Sequence, residues 1–569
     1  MDNSFSTSVE NYSNKDADAE ENYSRQRKRR KQIEKAKESL QRLLDKFERC
    51  FARDPDVPPP QIPRKLAQHI IELKEGTELG RSPGMRRRSE EDDEFINSVV
   101  KKLLEYGLIT RSKAKHACQV HIARTPGRDP RFCVDYRAVN DLTKEDPFPL
   151  PRMDDLLYGM NGATVFSTLD AQRGFWQIRM GKGREYTAFR TSEGVFEWTV
   201  MPFGLQNAPA TFQKFMDGMF EDLDFVRVYI DDIIVASATL EQHLSHLEKV
   251  FQRIEENGLT LKRGKCEFMK AEIKLLGYYV SAKGITQDPM KLEAIKNFKE
   301  PKNVRELKRF LGMIQFFRMF SSSTARLLVP LYELCKKSIR WRWQDREIKA
   351  FAEVKGELLK RRTLAYPDPK EKFFVSVDAS DFAMGANLYQ FKKAEDGTLD
   401  LQEVLAYSDE WTKEELASFH EEQAVPHIVE SFSKKWNKHE VNYTTSEKEC
   451  LAIVNALERW KHYLAPKQFE VWSDHRALTA LKSTEKPRLK RWKLRLTPFT
   501  FDLKWKAGRT MKDVDTLSRD ARYKALFVNN IRGYCIETMK PNPQDSVQTH
   551  ELLPADRQRQ KLILRLYVT

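Results

Sequence analysis

Two adjacent aspartates, flanked on both sides by apolar and β-branched residues, constrain the fold of this chain more than any other feature. The segment FVRVYIDDIIVA predicts a β-hairpin with Asp231 and Asp232 at its turn. An isolated Asp pair is also common in simple surface turns, because its side chains bond nearby backbone groups. A second strand-like run, VFSTLD, ends in Asp170. If that strand lies beside the hairpin, three carboxylates meet at one sheet edge.

Carboxylates gathered in this way need a counter-charge. They repel one another unless they are neutralised, and hard cations with oxygen ligands are the usual solution. Two Mg²⁺ ions about 3.5–4 Å apart can activate a primer hydroxyl and stabilise a leaving pyrophosphate in an in-line displacement. The first cluster of acids therefore predicts magnesium-dependent phosphoryl transfer.

A second set of acids lies farther along the chain. FFVSVDAS predicts a strand with Asp378 near its end, and FEVWSD predicts another strand that ends in Asp474. SEKECLAIVNALERWKHYL has helical periodicity, with Glu449 at its start. Ser446 and Glu449 also fit a capping box, which would explain this glutamate without catalysis. Asp515 follows in KDVDTLSRD.

Length, charge and cysteine usage narrow the class of protein. A chain of 569 residues is long enough for roughly three to five domains or subdomains. The net charge of +15 favours a polyanionic partner, although charge alone does not establish one. The seven cysteines show no Cys-x-x-Cys spacing, so neither a disulfide framework nor a zinc knuckle is predicted. Without an apolar run of membrane length or a secretory signal, we expect an intracellular protein with no membrane partner.

Composition divides the chain into five regions. Residues 1–60 are polar and contain the basic run RQRKRRK, so we expect disorder or a loose helix there. Nuclear import, RNA binding and a plain solvated segment remain alternatives for the basic run. The other regions are residues 61–286, with mixed strands and helices; 287–369, mostly helical; 370–520, a second α/β block with an insertion near 391–425; and 521–569, a tail of weak periodicity.

Several long motifs in register resemble one known family. YIDD, VFSTLDAQRGFWQI, FCVDYRAVN and MPFGLQNAPATFQ are similar in order and spacing to the reverse transcriptases of gypsy-like LTR retrotransposons. The resemblance extends from about Ala67 to Asp520, about four-fifths of the chain. It implies an α+β multidomain fold: a right-hand polymerase of fingers, palm and thumb, then a connection and an α/β RNase H-like domain.

The resemblance also assigns roles to residues of the polymerase part. Asp170 and Asp231 become the principal metal ligands, with Asp232 in support. The residues that it implies for substrate binding lie in loops and turns around these acids. They are Arg124 and Arg131 for the triphosphate, Phe175 for excluding a ribose 2′-hydroxyl, Phe203 and Gly204 beneath the nucleotide, Tyr229 beside the primer end, and Leu276 and Gly277 in a hairpin that grips the primer.

Plain structural roles compete with some of these assignments. Arg124 and Arg131 could instead lie in an ordinary solvated loop. The segment LLGYYVSAKGI could be a hairpin of the core, and Phe175 and Trp176 could be core aromatic residues. We expect Trp176 to be a core residue. The lysines and arginines of the following helical stretch, which is similar to a polymerase thumb, suit sequence-independent contacts to a hybrid duplex.

The order of the later acids resembles that of RNase H. By this resemblance Asp378, Glu449, Asp474 and Asp515 hold two Mg²⁺ ions, and water is the nucleophile. The chain departs from the family in two places. About thirty extra acidic residues lie between Gln390 and Pro426, and Asp513 could compete with Asp515.

The expected protein is an RNA-directed DNA polymerase with RNase H activity. Its partners would be an RNA template, a DNA primer, RNA–DNA hybrid and dNTPs, with Mg²⁺ as cofactor, two ions per active site, and Mn²⁺ as a substitute. A homodimer or other polyprotein products are further candidate partners. We expect a cytoplasmic location in a virus-like particle, with the nucleus as the alternative.

Other interpretations remain open at this point. The same acids would be present in a decayed or domesticated copy that binds RNA–DNA hybrids without catalysis, and pararetrovirus polymerases share both motifs. The sequence contains no Asp-Ser/Thr-Gly protease motif, Cys/His knuckle or integrase finger. We therefore expect an excised or truncated polyprotein segment.

Overall fold

Five β-sheets and the helices that cover them form the described part of the chain. In this computed structural model the described residues are Arg27, 31–393 and 424–505, except for positions 55, 83, 85, 86, 126, 128, 361, 466 and 474–486. None of the helices within these ranges is long and apolar enough to cross a membrane.

The N-terminal region differs from the expected disorder. Residues 31–46 form a helix, and a short 3₁₀ turn at Glu48–Cys50 follows it. Phe47 and Phe51 are buried, and both rings pack against Phe251. For this part of residues 1–60 the structure therefore contradicts disorder and agrees with the helical alternative, although the burial of Phe47 and Phe51 was not anticipated.

A mixed five-stranded sheet, called here the N-terminal sheet, comes first. Helix Glu90–Glu105 buries Ile96, Val100 and Leu103 and begins at Ser89, whose side chain accepts a hydrogen bond from Asp92 N. The strands, in sheet order, are Ile109–Arg111, Gly194–Trp198, Phe189–Thr191, Cys118–Ala123 and Arg131–Val134. A two-stranded parallel sheet joins Gln68–His69 to Arg179–Met180.

The second sheet, called the acid sheet, contains the predicted hairpin. Its strands, in order, are Glu267–Lys270, Val165–Asp170, Asp232–Ser237 and Val226–Tyr229, and all neighbours are antiparallel. Helix Leu240–Asn257 contacts its strands, and helix Ala208–Met219 lies against the hairpin strand Val226–Tyr229. Shorter helices and 3₁₀ turns in this half of the chain are Arg137–Leu142, Met153–Tyr158, Gly174–Gln177, Arg184–Thr187 and Arg263–Lys265.

A third, antiparallel sheet and several helices follow. Its strands are Glu272–Leu275, Tyr278–Ser281, Gly284–Gln287 and Thr363–Leu364. The helices are Pro289–Lys296, Val304–Gln315, Thr324–Leu327, Val329–Leu334 and Asp345–Leu358, with a 3₁₀ turn at Arg318–Phe320. Helix Val304–Gln315 buries Leu307, Phe310, Leu311 and Ile314, as the periodicity predicted.

The C-terminal sheet has five strands. In sheet order they are Ala424–Lys435, Ala383–Lys393, Phe373–Ala379, Gln468–Ser473 and Thr500–Trp505, and the last two pairings are parallel. The helices are Thr445–Arg459, Lys461–Leu464 and Pro487–Leu496, with a 3₁₀ turn at Glu440–Asn442. The expected insertion is narrower than 391–425, because Lys393 already pairs with Ala424 across a hairpin. Residues 394–423 lie outside the described residues.

One hydrophobic core joins the acid sheet to the C-terminal sheet. It contains Phe166 and Ile234 of the acid sheet, the helices between residues 289 and 358, and Tyr389, Ile428 and Trp472 of the C-terminal sheet. Ala365 N also donates a hydrogen bond to Ile428 O at 2.7 Å. The acid sheet and the C-terminal sheet therefore share one core, in addition to being linked along the chain.

Candidate active sites

The register of the acid sheet brings the first three acids together. Asp232 pairs directly with Asp170 on one neighbouring strand and with Tyr229 on the other. Ile230 and Asp231 form the turn between the hairpin strands. Directly opposed residues in an antiparallel pair have their Cβ atoms about 4.5–5.5 Å apart. The three carboxylates are therefore neighbours at one sheet edge, as the sequence predicted.

The turn that carries Asp231 is strained. Ile230 has φ +54°, a left-handed conformation that a β-branched residue rarely adopts. The fully buried Gln213 holds this turn, because its Oε1 accepts a hydrogen bond from Ile230 N at 2.7 Å and its Nε2 donates to Val228 O at 3.2 Å. Gln213 lies in the motif MPFGLQNAPATFQ, but no pattern in that motif indicates this role.

Asp231 occupies an environment that disfavours its charge. Burial raises the pKa of Asp231 to about 6, with further contributions from the nearby carboxylates of Asp170 and Asp232. Its Oδ1 is buried, and no hydrogen-bond partner for that atom is present among the described residues. The pKa of Asp232 is also raised, first by desolvation and then by Asp170, although part of its side chain reaches solvent.

Gly174 leaves the space that the Asp231 carboxylate occupies. A Cβ at Gly174 would lie 2.6 Å from Asp231 Oδ1 and 2.8 Å from the Phe212 ring. The preceding Arg173 has φ +48°, and its guanidinium lies over the Trp176 ring at 5.0 Å. Gly174 was not singled out from the sequence, because a single glycine inside VFSTLDAQRGFWQI does not indicate what approaches it.

Lys265 supplies a positive charge within the cluster. Its Nζ lies 3.0 Å from Asp170 Oδ2, and it lowers the pKa of both Asp231 and Asp232. Lys265 belongs to the 3₁₀ turn that precedes the strand beside Asp170. Sequence reasoning missed it, since a lysine almost a hundred residues from Asp170 carries no local signal.

The burial and mutual repulsion of these three carboxylates decide whether the cluster fits a divalent cation. In the described ranges, no three His, Cys, Asp or Glu side chains already converge closely enough to form a metal site. The buried Asp231 Oδ1 nevertheless lacks a partner, and the neighbouring carboxylates repel one another. A hard cation would relieve both features. The residues therefore fit a divalent cation. Lys265 offsets part of the negative charge of the three carboxylates.

Aromatic residues lie beside the acids. Phe175 is 8% exposed and packs against Phe203 and Phe212, with ring centroids 5.1 and 5.7 Å away. Phe203 is 52% exposed, so this aromatic cluster reaches the surface. Trp176 packs against the core near Trp198, which agrees with the core role expected for it.

Gly204 follows Phe203 in a loop whose backbone conformation favours glycine. A Cβ at Gly204 would meet Tyr136 at 3.5 Å and Val134 O at 3.9 Å, which are ordinary contacts, and its position beneath the nucleotide stays a prediction. Its φ of +96° is what requires glycine. Asn140 Nδ2 donates a hydrogen bond to Gly204 O at 2.9 Å and fixes this loop.

The two predicted phosphate-binding arginines lie at one end of a hairpin in the N-terminal sheet. Arg131 pairs with Ala123, the residue before Arg124. Arg124 forms an ion pair with Asp92 at 2.6 Å. Among the described residues, no hydrogen bond or ion pair links either arginine to the three acids, so their role in substrate binding stays a prediction.

Leu276 and Gly277 form the turn of the first hairpin in the third sheet. Both have positive φ, +49° and +87°. A Cβ at Gly277 would clash with Lys291, whose Nζ lies 3.3 Å from the centroid of the Phe316 ring. This hairpin is tightly constrained, and its contact with a primer stays a prediction.

The second set of acids is described in part. Asp378 lies in the strand Phe373–Ala379, and helix Thr445–Arg459, which carries Glu449, packs on that strand. Glu449 is 3% exposed. Asp474 and Asp515 lie outside the described residues, so their predicted roles as ligands stay predictions.

The capping alternative for Glu449 was wrong. The helix begins after Thr444, which forms a reciprocal capping box with Glu447, and Ser446 lies in the first turn. Glu449 is two residues beyond the capping glutamate, so helix capping does not account for it. Next to it, Lys448 Nζ forms an ion pair with Asp381 at 3.0 Å.

Two family models match this chain. Residues 124–280 match the model for reverse transcriptase (RNA-dependent DNA polymerase), and residues 368–499 match the model for the RNase H-like domain found in reverse transcriptase. The two matched ranges contain Asp170, Asp231 and Asp232 in the first case and Asp378, Glu449 and Asp474 in the second. The expected pair of domains, a reverse transcriptase followed by an RNase H-like domain, is confirmed.

Curated relatives include the Transposon Tf2-3 and Tf2-7 polyproteins of Schizosaccharomyces pombe. Each is 34% identical over 433 residues, which is 74% of this chain and 30% of the relative. The chain thus spans about a third of the length of these polyproteins.

Solved structures show the same architecture. The foamy viral protease-reverse transcriptase in complex with an RNA/DNA hybrid has a TM-score of 0.68 at 20% identity, covering 91% of this chain and 63% of that chain. The same viral protein in complex with dsDNA has a TM-score of 0.68 at 21% identity, covering 83% of this chain and 94% of that chain. The predicted α+β multidomain fold is confirmed.

Proposed function

We propose that this chain, which belongs to the reverse transcriptase and RNase H segment of LTR retrotransposon polyproteins, copies RNA into DNA and then cleaves the RNA strand of the hybrid. DNA synthesis is assigned to Asp170, Asp231 and Asp232, and RNA cleavage to the site that contains Asp378 and Glu449. The observation that carries the proposal is the pairing of Asp170 with Asp232 beside a buried Asp231 oxygen that lacks a hydrogen-bond partner among the described residues.

Asp170, Asp231 and Asp232 would hold Mg²⁺ at the polymerase site, two ions in all, and Mn²⁺ would be an acceptable substitute. When bound, such ions activate the attacking hydroxyl and stabilise the charge that develops on the phosphate. The protein positions the acids through Gln213 and Gly174, one by hydrogen bonds to the turn and the other by leaving space. Phosphoryl transfer depends chiefly on such positioning and on electrostatic stabilisation.

Side chains around the acids would orient the substrate. Phe175, packed between Phe203 and Phe212, would form a rigid wall beneath the sugar and favour deoxynucleotides. Arg124 and Arg131 would contact the triphosphate through their guanidinium groups, which suit phosphate oxygens. Tyr229 would lie beside the primer end, and the Leu276–Gly277 turn would hold the primer.

At the RNase H site, Asp378, Glu449, Asp474 and Asp515 would hold the second pair of divalent ions. Water would attack the RNA phosphate there. Burial of Glu449 keeps one carboxylate in a fixed position on the helix that packs against the Asp378 strand. Among these four acids, Asp515 has the nearest competitor in the sequence, Asp513.

The substrates of this enzyme would be an RNA template, a DNA primer and dNTPs, and its product an RNA–DNA hybrid. The foamy viral protein is bound to an RNA/DNA hybrid in one of the two solved structures and to dsDNA in the other, which supports nucleic acid as the partner class of this chain. A homodimer and other polyprotein products are further proposed partners. We also propose a cytoplasmic, particle-associated location, with the nucleus as the alternative.

A primer-extension assay on a labelled RNA template with Mg²⁺ tests both activities at once. We expect full-length DNA together with shortened template fragments, and EDTA should abolish both. Hybrid binding without extension or cleavage would instead identify a decayed or domesticated copy. A pararetrovirus-type polymerase would give the same products, so the parent reading frame must decide that case: a neighbouring integrase excludes it.

A further inference from the structure

Four polar side chains cross the apolar interface between the acid sheet and helix Leu240–Asn257. In order of contact they are Ser167, His243, Ser237 and His246, and we call them the serine–histidine network. The first three are buried, and His246 is partly exposed. A buried polar group costs free energy unless it is hydrogen-bonded, so the partners of each atom decide what this network does.

Hydrogen bonds connect the network from a strand at the edge of the acid sheet to the surface of the helix. Met269 N donates to Ser167 Oγ at 3.0 Å, and the same oxygen lies 2.6 Å from His243 Nε2. Ser237 Oγ lies 2.8 Å from His243 Nδ1 and 2.8 Å from His246 Nδ1. A single imidazole, that of His243, therefore joins two neighbouring strands of the sheet.

The protons of the network have one arrangement that satisfies every buried group. Burial, with a smaller contribution from His246, lowers the pKa of His243 to about 4, so its imidazole is neutral at pH 7 and has one N–H. Ser167 Oγ already accepts from Met269 N, and its O–H has no acceptor among the described residues except His243 Nε2. The N–H of His243 is therefore on Nδ1 and donates to Ser237 Oγ, whose own O–H donates to His246 Nδ1.

The two serines lie on the strands that carry the acids. Ser167 precedes Asp170 by three residues, Ser237 follows Asp232 by five, and these strands pair with each other. Because side chains alternate along a strand, the serines face the helix and the two acids lie on the opposite face. A slip of one residue in this pairing would turn a serine away from the imidazole. The network therefore fixes the register that makes Asp170 and Asp232 neighbours.

The same network supports the edge strand beside Asp170. Strand Glu267–Lys270 pairs irregularly with its neighbour, with a shift of register, and Met269 has φ +51°, a left-handed conformation that costs energy in a residue with a side chain. The hydrogen bond from Met269 N to Ser167 Oγ holds this irregular point in place. Lys265, four residues before Met269, forms the ion pair with Asp170. Loss of the serine contact would therefore shift the segment that holds Lys265.

The surroundings of His243 are apolar. Leu169, Ile233 and Val235 lie on the same face of the sheet as the two serines, Leu247 is one turn beyond His243 on the helix, and all four are buried. An apolar side chain at position 243 would therefore suit plain packing. Directional hydrogen bonds add what apolar contacts lack, since a fully satisfied polar network makes one arrangement of the strands unique.

We propose that His243 is a positioning residue for the polymerase site. Its two hydrogen bonds hold the strands of Asp170 and Asp232 at the spacing that DNA synthesis requires. Mg²⁺ demands nearly ideal octahedral geometry, so a small displacement of either acid weakens its coordination. This inference rests on the proposed polymerase function and names a residue, outside the acid cluster, on which that function depends.

The test compares substitutions in the full chain by single-turnover primer extension on an RNA template, over a range of dNTP and Mg²⁺ concentrations. His243→Leu removes both hydrogen bonds and keeps an apolar side chain that suits the surroundings. His243→Gln places a polar group near the position of Nε2, toward Ser167, and His243→Asn places one near Nδ1, toward Ser237. Leu247→Ala is the control, because it removes buried packing from the same helix and leaves every hydrogen bond of the network in place.

We expect His243→Leu to lower the maximal rate of extension about tenfold and to raise the half-saturating Mg²⁺ concentration, because the acids are slightly displaced. The half-saturating dNTP concentration and the cleavage of a preformed hybrid should stay within about twofold of wild type. His243→Gln or His243→Asn should recover part of the rate, and folded Leu247→Ala should keep all of it. Wild-type kinetics in His243→Leu, an equal loss in Leu247→Ala, or no recovery by either amide would overturn the proposal.

Measurements in EDTA keep the test decisive if His243→Leu does not fold. Nitrogen-15 NMR of the wild-type imidazoles at pH 7 should show a neutral His243 with its proton on Nδ1. Ser167→Ala, which removes a single hydroxyl, should speed hydrogen exchange of the Met269 amide by about tenfold or more, because that amide loses its acceptor. A protonated His243, a proton on Nε2, or unchanged exchange in Ser167→Ala would overturn the proposal.

Failure of the proposed function is distinguishable from failure of this inference. A wild-type chain that does not extend a primer would refute the polymerase function. The tautomer of His243 and the exchange of the Met269 amide, both measured without metal or nucleic acid, would still decide whether the serine–histidine network holds the strands.

Discussion

The two acid clusters of this chain are assembled in different ways. The acids of the first cluster lie on paired strands and the turn between them, so backbone register alone makes Asp170 and Asp232 neighbours. The second cluster combines a strand residue, Asp378, with Glu449 from a helix packed on that strand. Register can be anticipated from alternating apolar residues, whereas the position of a helix depends on a whole core.

The clusters also differ in how their charge is compensated. The first cluster has an internal cation, Lys265, and an Asp231 whose pKa is raised to about 6. At the second cluster, Lys448 forms an ion pair with Asp381. Lys448 is adjacent to Glu449 in the chain, and Asp381 is three residues after Asp378. Two sites with separate supports should respond separately to mutation, and the following variants test that independence.

The largest expected effect is that of Asp231→Asn. The substitution removes one carboxylate oxygen charge from the proposed polymerase site, so DNA synthesis should fall at least about 1000-fold. Cleavage of a preformed hybrid should stay within about twofold of wild type. Glu449→Gln should show the reverse pattern, and Asp222→Asn, at an exposed ion pair with Arg253, serves as the control. Loss of both activities in either variant would contradict two independent sites.

Gly174→Ala should have the next largest effect. The added methyl would lie 2.6 Å from Asp231 Oδ1, and it would displace the carboxylate or the Phe212 ring. Because misplacement by about 1 Å costs about 100-fold, DNA synthesis should fall by that order while hybrid cleavage is unchanged. Gly218→Ala is the matched control, since a Cβ there meets nothing within 4 Å. Equal synthesis by both variants would show that the space at Gly174 is unimportant.

Phe175→Val should alter selectivity more than rate. A smaller side chain beneath the sugar would leave room for a 2′-hydroxyl, so discrimination against ribonucleotides should fall by about tenfold or more. Steady-state incorporation of dNTPs and rNTPs opposite an RNA template measures this ratio. Unchanged discrimination in a folded variant would remove Phe175 from the role proposed for it, and hybrid cleavage should remain at the wild-type level.

The last prediction concerns stability and pH. Burial raises the pKa of Asp231 from its ordinary value of 3.8 to about 6 in the folded chain, so the ionised carboxylate destabilises the metal-free fold. In EDTA, the free energy of unfolding of Asp231→Asn should exceed that of the wild type by up to about 3 kcal/mol at pH 7.5. The difference should shrink as the pH falls through 6 and vanish below about 4. Urea titrations at several pH values measure it, and a pH-independent difference would contradict this environment for Asp231.

Much of the first cluster could be predicted from the sequence. Alternating apolar residues on both sides of Asp231 and Asp232 indicated the hairpin, and VFSTLD indicated its neighbouring strand. Gly174, Gln213 and Lys265 could not be found in this way, because each acts through a contact between segments distant in sequence. The capping alternative for Glu449 failed for a local reason, because Thr444 and Glu447 form the capping box in place of Ser446 and Glu449.

In the N-terminal region, the sequence analysis underestimated the order of the chain. A high density of charge suggested disorder up to residue 60, but Phe47 and Phe51 pack against Phe251 from a helix some two hundred residues away. Composition averages over such residues, whereas a few aromatic side chains at the right spacing are sufficient to dock a helix.

Affinity cleavage with Fe²⁺ tests the central claim, two separate divalent-cation sites, most directly. Fe²⁺ that replaces Mg²⁺ in the presence of ascorbate and peroxide cuts the polypeptide near its ligands, and the fragments can be sized on a gel. We predict cuts near residues 170 and 231 and a second set near residues 378 and 449, with Asp231→Asn losing the first set alone. Absence of localised cleavage, or loss of both sets in that variant, would contradict the account.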